Sequence, residues 1–445
     1  MGRLFGTDGI RGIADSYPIT VEMGVNLGRS IVEYCLKRRI SPEIVIGRDT
    51  RTSGERLEQG IVSGIISAGG HAFLAGVIPT PGVAFLVKQL NKGAGIVLSA
   101  SHNSHEYNGF KVFSNEGFKL SEDEEAELEG MILDERVSSF KGEKGAALTI
   151  EDANEKYLSF LLKALPEKLT SIKVILDCSN GATFKVAPAL FNRLGLDSEA
   201  MFIEHDGKNI NKNCGSQHTE SLSRRVVEKG ADLGLAFDGD GDRLISVDEK
   251  GVTLTGDQVI AICAKMLYDR GRLRNNMAVT TVMSNMGLVS ALKGFGIGHV
   301  ATGVGDRLVM EEMKRQGSCL GGEDSGHIIF SDHHTTGDGI LTAIQIIYAM
   351  QFFNKPLSEL SYMMQIFPQT LINVPVKIKP EISGVPEIAR VIKEVEKELG
   401  DEGRVLVRYS GTEPLCRVMV EGKSKQEIEK SANLIVGVIK KELNL

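Results

Sequence analysis

The sequence predicts an α/β chain: three similar α/β domains with mixed, mostly parallel sheets, then a smaller C-terminal α+β domain. Three observations carry this. Short apolar runs bounded by glycine alternate with longer stretches of helical period, which implies right-handed βαβ units and parallel pairing. Three such runs end in polar, glycine-bearing loops, at Ser101-His-Asn103, Phe237-Asp-Gly-Asp-Gly-Asp-Arg243 and Gly321-Gly-Glu-Asp-Ser-Gly-His327, and so point to a structural repeat without a clean sequence period. From about Phe367 the order changes to strand, helix, strand, strand, helix.

In the first domain, Phe5 to Gly12 reads as a glycine-rich loop carrying Arg11, ahead of a helix from Val21 to about Lys37. Strands from Glu43 to Gly47, His71 to Ala75 and Gly95 to Leu98 alternate with helices from Glu55 to Ala68 and Gly82 to Leu90. Open parallel sheets carry their chemistry beyond the carboxyl ends of the strands, so the Arg48-Asp-Thr-Arg51 turn and Ser101 are expected at one sheet edge. The acidic stretch Glu122 to Glu129 reads as a solvated helix face, and Lys141 to Leu148 as a linker. The second domain has helices from Asp152 to Leu165, Phe184 to Leu194 and Glu220 to Glu228, with strands from Val174 to Asp177 and Asp232 to Ala236. In the third, helices from Asp257 to Tyr268, Met286 to Lys293 and Asp306 to Arg315 accompany a strand from Ala278 to Val282. The uncharged run Ile340 to Phe353 reads as a buried helix, being short for a membrane span and carrying Gln345 and Gln351. The last domain places helices from Val385 to Leu399 and Lys425 to Lys441 beside strands from Val405 to Val407 and Arg417 to Val420. The boundaries are therefore 1–147, 148–252, 253–366 and 367–445.

Composition limits the function. With 445 residues, 42% hydrophobic and 24% charged, the chain is globular and long enough for several cores. Asp and Glu (58) outnumber Lys and Arg (51), giving a net charge of -7, which argues against a nucleic-acid partner. Six cysteines without a C-x-x-C pair suggest neither a zinc knuckle nor a disulfide framework, and fit a reducing, cytoplasmic location. The N-terminus lacks the apolar core of a signal peptide. Gly60 to Val87 carries no charge, but Gly69-Gly70, Pro79 and Pro81 would interrupt a spanning helix, so no membrane is implied.

The loops carry the chemistry. Asp238, Asp240 and Asp242 alternate with glycine, so three carboxylates can converge, and a hard divalent cation such as Mg2+ is the usual remedy for their repulsion. Arg408, Ser410, Gly411 and Thr412 offer a phosphate a guanidinium fork, hydroxyls and an exposed backbone amide, with Arg417 as a second charge. Glu323 and Ser325 suit sugar hydroxyls, and Ser101 supplies a nucleophile. Each alone is equally a polar turn. Together they describe phosphoryl transfer on a sugar phosphate, a reaction that depends on positioning and charge neutralisation.

Gly6-Thr-Asp-Gly-Ile-Arg-Gly12, Ser99-Ala-Ser-His-Asn103, Asn108-Gly-Phe-Lys111, Asp238-Gly-Asp-Gly-Asp-Arg243, Gly322-Glu-Asp-Ser-Gly-His327 and Ser410-Gly-Thr-Glu-Pro414 span nearly the whole chain. In this order they resemble the motifs of the α-D-phosphohexomutase superfamily. Cys214-Gly-Ser, Ala231 to Arg243 and Thr335-Thr-Gly-Asp-Gly-Ile-Leu-Thr342 resemble its glucosamine branch. The resemblance implies an active site in a central cleft between domains for phosphoserine, metal, sugar and phosphate. Ser101 would carry a phosphoryl group and share Mg2+ with Asp238, Asp240 and Asp242. Arg408, Ser410, Gly411, Thr412 and Arg417 would hold the idle phosphate, and Glu323 and Ser325 the ring hydroxyls. Arg11, His102, Lys111 and Arg243 would surround the transferred group. Lys111, with a pKa lowered by cationic neighbours, is the first candidate for proton transfer, and His327 the second. The implied reaction interconverts glucosamine 6-phosphate and glucosamine 1-phosphate for amino-sugar nucleotide and cell-wall precursor synthesis, with glucosamine or glucose 1,6-bisphosphate as activator. The resemblance also allows a homodimer.

Ser104 follows Asn103 where the family usually has Pro, Tyr409 replaces a frequent Pro, and Asp324 stands where the glucosamine branch generally has Gln. Asp324 is therefore expected to attract the substrate ammonium. Tyr107 to Lys111 resembles the mannose and glucose branch, which keeps a phosphomannomutase/phosphoglucomutase as an alternative. A non-catalytic sugar-phosphate sensor and a phosphatase with Asp238 as nucleophile are the others.

Overall fold

The computed structural model describes residues 4–134, 143–165, 169–400, 403–409 and 414–443. The chain forms two compact units, one running to Met283 and resuming over Leu292–Met363, the other made of Ser284–Ala291 and Met364–Leu445.

The first unit contains three sheets. In chain order its first part comprises β1 (Ile10–Ile13), α1 (Val21–Lys37), β2 (Glu43–Arg48), α2 (Gly54–Ser67), β3 (His71–Val77), α3 (Thr80–Gln89), β4 (Ala94–Leu98), β5 (Tyr107–Ser114), α4 (Glu122–Leu133) and β6 (Ala147–Thr149). Its sheet order is β1-β5-β4-β2-β3-β6. Next come α5 (Ala153–Lys163), β7 (Lys173–Asp177), α6 (Val186–Arg193), β8 (Asp197–Met201), α7 (Glu220–Lys229), β9 (Leu233–Phe237) and β10 (Leu244–Asp248), ordered β10-β9-β7-β8. The third part has α8 (Gly256–Asp269), β11 (Met277–Thr281), β12 (Gly298–Thr302), α10 (Asp306–Gln316), β13 (Leu320–Gly322), β14 (Ile328–Phe330), α11 (Gly339–Phe353) and α12 (Leu357–Leu360), ordered β12-β11-β13-β14, and α9 (Met286–Gly294), which follows β11 in the chain, has its residues up to Ala291 in the second unit.

The structural repeat is visible in these orders. The first sheet holds four parallel strands and the other two hold three each, and in every sheet the strand that ends in a functional loop, β4, β9 or β13, pairs antiparallel with the strand that follows it. The loops at Ser101, Asp238 and Glu323 thus occupy equivalent positions, with the second strand fixing where each loop must return. These returning strands, β5, β10 and β14, and the edge strands β8 and β12 were not among those expected. Asp197-Ser-Glu-Ala-Met201 lacks an apolar alternation because an edge strand buries little.

Helices begin where the chemistry of the chain allows. Thr20 Oγ1 accepts the Met23 amide at 3.1 Å to start α1, and Ser121/Glu124 and Thr255/Gln258 form capping boxes on α4 and α8. Two expectations for the first part need correction. The stretch Glu122 to Glu129 is not simply a solvated face: Glu129 is buried, and its Oε2 accepts the Leu4 and Phe5 amides at 3.0 and 3.1 Å. Glu124 accepts from the Tyr34 hydroxyl at 2.7 Å. Within the expected linker, Ala147–Thr149 is β6, paired in parallel with β3, while Lys141 and Gly142 lie outside the described residues. The expected buried helix is α11, and among the described residues no helix is long and apolar enough to cross a membrane.

The second unit has β15 (Gln369–Pro375), α13 (Pro386–Leu399), β16 (Gly403–Tyr409), β17 (Leu415–Gly422) and α14 (Lys425–Glu442). Its sheet, β15-β17-β16, is entirely antiparallel, as the change of element order implies. Ile388, Val391 and Val395 of α13 join Ile428, Ala432, Ile435 and Ile439 of α14 in its buried core.

Candidate active site

β2 and β4 lie side by side in parallel, with Arg48 opposite Leu98, so the residues that leave these strands meet. Ser99 donates to Asp49 Oδ2 at 2.6 Å and accepts the Ser101 amide at 2.9 Å. Ser101 follows in a left-handed conformation, with φ of 52°. This turn points its side chain at the second sheet, where Ser101 Oγ donates to Asp238 Oδ2 at 2.5 Å. The expected neighbourhood of the Arg48 to Arg51 turn and Ser101 is what the sheet register produces.

Asp238, Asp240 and Asp242 converge at the end of β9, all buried, with one carboxylate oxygen of each within 4.8 Å of the others. Burial, with Asp242 and Asp240 beside it, holds the Asp238 carboxyl well above the usual range. Asp242 is instead held well below, because Lys111 and His327 together outweigh its desolvation. Asp240 Oδ1 and Asp242 Oδ1 are buried and accept no hydrogen bond. Buried carboxylate oxygens that converge without donors form the donor set of a hard divalent cation, so these residues fit a metal ion.

Arg11 lies on β1 opposite Gly109, in a strand rather than the expected loop. Its guanidinium pairs with Asp8 and reaches Asn103 Oδ1 at 3.4 Å. The chain reaches this position through Gly9, at φ of 78°, where a Cβ would lie 2.3 Å from the Phe110 carbonyl oxygen. Arg243 donates its amide to Asp238 Oδ1 at 3.2 Å and brings its guanidinium within 3.1 Å of His102 Nδ1. His102 Nδ1 is also 3.3 Å from Ser101 Oγ. Burial, then Arg243 and Arg11, pull the His102 pKa down to about 4, so the ring is neutral at pH 7.

The lowered pKa expected for Lys111 is not what its surroundings produce. Its ammonium lies 2.7 Å from Asp240 Oδ2, 3.0 Å from Asp242 Oδ2 and 3.1 Å from Asp8 Oδ2. Desolvation pushes its pKa down, but these three acids outweigh it and hold the group well above its ordinary value. Arg11 opposes them as the fourth neighbour and does not prevail. These acids hold Lys111 as a cation, opposite to the lowered pKa expected of it.

His327 is buried beside the acids. It is 2% exposed, accepts the Gly337 amide on Nε2 at 3.1 Å, and faces Asp242 with Nδ1 at 3.7 Å and Asp306 with Nε2 at 3.4 Å. Burial lowers its pKa, but Asp242 and Asp306 reverse this and raise it. Both His327 nitrogens are turned to protein groups, with Nδ1 toward Asp242. Glu323 accepts the Gly305 amide at 3.1 Å and lies 3.5 Å from Ser325 Oγ, at the end of β13. The neighbouring Asp324 is exposed and accepts the Asp257 amide in the first turn of α8 at 3.2 Å.

In the second unit, Arg408 of β16 is directly opposite Arg417 of β17. Burial and then Arg417 lower the Arg408 pKa, as two cations on adjacent strands must. Ser410, Gly411 and Thr412 lie outside the described residues.

Several residues at the site escaped the sequence. Thr80 Oγ1 donates to Asp240 Oδ2 at 2.6 Å, and its amide to the Asp240 carbonyl at 2.8 Å. Asp8 links Arg11, Lys111 and Lys119, whose ammonium lies 2.5 Å from Asp306 Oδ2. The only sequence signals were position: Thr80 follows β3 between two prolines, and Asp8 stands within the glycine-rich Gly6 to Gly12 stretch.

Comparison with known proteins decides the family. Residues 2–138, 155–251, 255–367 and 371–438 match phosphoglucomutase/phosphomannomutase alpha/beta/alpha domains I, II and III and the C-terminal domain, in that order. The chain is 54% identical over 448 residues to the phosphoglucosamine mutase of Syntrophus aciditrophicus (strain SB), covering 100% of both chains. The chain belongs to the phosphoglucosamine mutases of the α-D-phosphohexomutase superfamily. It is 48% identical to the phosphoglucosamine mutase of Bacillus subtilis (strain 168), again over 100% of both chains. A phosphoglucomutase/phosphomannomutase family protein from Burkholderia thailandensis shares the fold, with a TM-score of 0.83, 23% identity, and coverage of 98% of this chain and 97% of that one. The chain is thus an enzyme of the phosphohexomutase kind.

Proposed function

We propose that this enzyme interconverts glucosamine 6-phosphate and glucosamine 1-phosphate through phosphorylated Ser101 and a 1,6-bisphosphate intermediate. The observation that carries the reading is the Ser101 hydroxyl held 2.5 Å from Asp238, within a buried group of three carboxylates. Asp238, Asp240 and Asp242, with an oxygen on Ser101, would hold Mg2+, which when bound neutralises part of the phosphoserine's charge of about -2. Phosphoryl transfer breaks the bond between Ser101 Oγ and phosphorus and forms one from phosphorus to the free hydroxyl oxygen of the sugar phosphate, which loses its proton as Ser101 Oγ takes one up. The serine then regains phosphate from the other end of the bisphosphate.

The surrounding residues divide the work. Arg11 and Arg243 remain charged and stabilise the transferring group, and Lys111 adds a third cation beside the acids. Neutral His102 leaves that cationic field undiluted and can accept from Arg243. Glu323 and Ser325 would bind ring hydroxyls in either orientation, and Arg408, Ser410, Gly411, Thr412 and Arg417 the idle phosphate. Glucosamine or glucose 1,6-bisphosphate would prime the serine. The reading includes domain boundaries after residues 147, 252 and 366, a cytoplasmic site of action, a role in cell-wall precursor synthesis and room for a homodimer.

Phosphosite mapping should find phosphate on Ser101, and Ser101→Ala supplied with the 1,6-bisphosphate should lose mutase turnover. Undiminished turnover in that variant overturns the mechanism. Broader use of glucose and mannose phosphates, favoured by the Tyr107 to Lys111 stretch, is measured in the same coupled assay with all three sugar 6-phosphates.

A further inference from the structure

Arg51 is 1% exposed, yet its guanidinium touches none of the acids at the cation site. An arginine side chain has five N–H donors, and here all are used. Nε donates to Asp49 Oδ2 at 2.8 Å, Nη2 to the carbonyls of Ser101 and Asn103 at 2.9 and 2.8 Å, and Nη1 to those of Ser104 and, at 3.0 Å, Tyr107. Three carbonyls of one short loop, and that of Tyr107 where β5 begins, thus converge on one buried cation. Asn211, from the loop between β8 and α7, donates its amide to two of the same carbonyls, Ser101 at 2.8 Å and Asn103 at 2.9 Å.

A left-handed serine costs conformational energy and persists only where its surroundings over-determine it. Here they do so from both sides: Arg51 and the Asp49–Ser99 pair reach from the first sheet's loops, and Asn211 from the second's. Because Asn211 shares its segment with the domain that supplies Asp238, its two bonds set the distance between the serine and the acids.

We infer that Arg51 and Asn211 are positioning residues for phosphoryl transfer: together they clamp the backbone of Ser101 and Asn103 so that Oγ is presented to Asp238. The inference rests on the phosphoserine reading above. Arg51 acts through five short bonds that a lysine cannot reproduce, and Asn211 through an amide that the substitution Asn211→Asp would replace with a repelling carboxylate.

The test uses wild type, Asn211→Ala, Asn211→Asp and Arg51→Lys, each phosphorylated with glucose 1,6-bisphosphate. Rapid quench then measures transfer from Ser101 to glucosamine 6-phosphate. The expected result for Asn211→Ala is a loss of about 10²-fold in transfer rate and kcat, with KM changed less than about threefold, because a displacement approaching ~1 Å acts on the reacting geometry and not on sugar binding. The 31P resonance of the phosphoserine should shift in the folded variant, and Asn211→Asp should be slower still. Arg51→Lys should lose more than Asn211→Ala; should it fail to fold, the Asn211 pair decides. A folded Asn211→Ala that transfers at the wild-type rate with an unshifted resonance overturns the inference. Wild type that turns over without phosphate on Ser101 overturns the underlying reading instead.

Discussion

Replacing Gly239 with alanine tests how closely the acid loop must approach the serine. Gly239 lies between Asp238 and Asp240, and a Cβ there would meet the Ser101 carbonyl oxygen at 2.6 Å and Asn211 Nδ2 at 2.8 Å. Ordinary contact begins at 3.4 Å, so relieving the backbone clash requires a retreat of about 0.8 Å. The obstacle is a carbonyl fixed by Arg51 and Asn211, so the acid loop is the part that yields. Carried into the site, that retreat stretches the 2.5 Å contact between Ser101 Oγ and Asp238 Oδ2 to about 3.3 Å, beyond the range of a good O–H···O hydrogen bond, and shifts the acids away from the serine oxygen. A misplacement of this size costs about 10²-fold in transfer, equivalent to about 2.7 kcal/mol of barrier, while overpacking costs about 1–3 kcal/mol of stability. The assay is rapid-quench transfer from phosphorylated Ser101, with Mg2+ half-saturation followed alongside by isothermal titration. Gly239→Ala should transfer slowly and need more Mg2+. A folded variant with transfer and Mg2+ affinity within about threefold of wild type would refute the reasoning.

Two further outcomes test other parts of the structure. His334 donates Nε2 to the Pro81 carbonyl at 2.9 Å and accepts the Thr335 amide on Nδ1 at 2.8 Å, and burial, with Lys88 and His333 adding, pulls its pKa down to about 4. The unfolded chain binds this proton below about 6.5, so stability is present above that pH and is lost as pH falls toward 4, by up to about 3 kcal/mol. Denaturant melts of His334→Gln between pH 4 and 7 should show a flatter dependence than wild type; an unchanged slope contradicts the assignment. Asp324→Gln should keep the fold, because an amide oxygen can still accept the Asp257 N–H, but reduce the preference for glucosamine over glucose phosphates in paired kcat/KM measurements. An unchanged preference removes Asp324 from ammonium recognition.

Local pattern settled a large share of the architecture. The helix from Val21 to about Lys37 was legible from its helical pattern, and the structure adds the Thr20 cap that fixes its start. The buried strands β4 and β9 and the polar loops after them were legible for the same reason: a glycine-bounded apolar run has few other uses. Edge and returning strands were not, because little of their register is written in their own residues.

The sequence by itself therefore determined which residue types stand beyond the strand ends, Ser101, the three aspartates and Glu323, and the class of reaction they allow. Tertiary structure alone decided what each side chain is worth. Lys111 is paired with three acids because Asp8, Asp240 and Asp242 meet it across as many as 131 residues of sequence. His327 is turned to protein groups because Asp242 and the Gly337 amide meet it, and Glu129 is buried because the Leu4 and Phe5 amides need an acceptor. The physical reason is common to all of them. Periodicity is local and survives in the chain, whereas desolvation and Coulomb energy depend on neighbours that exist only once distant segments have packed.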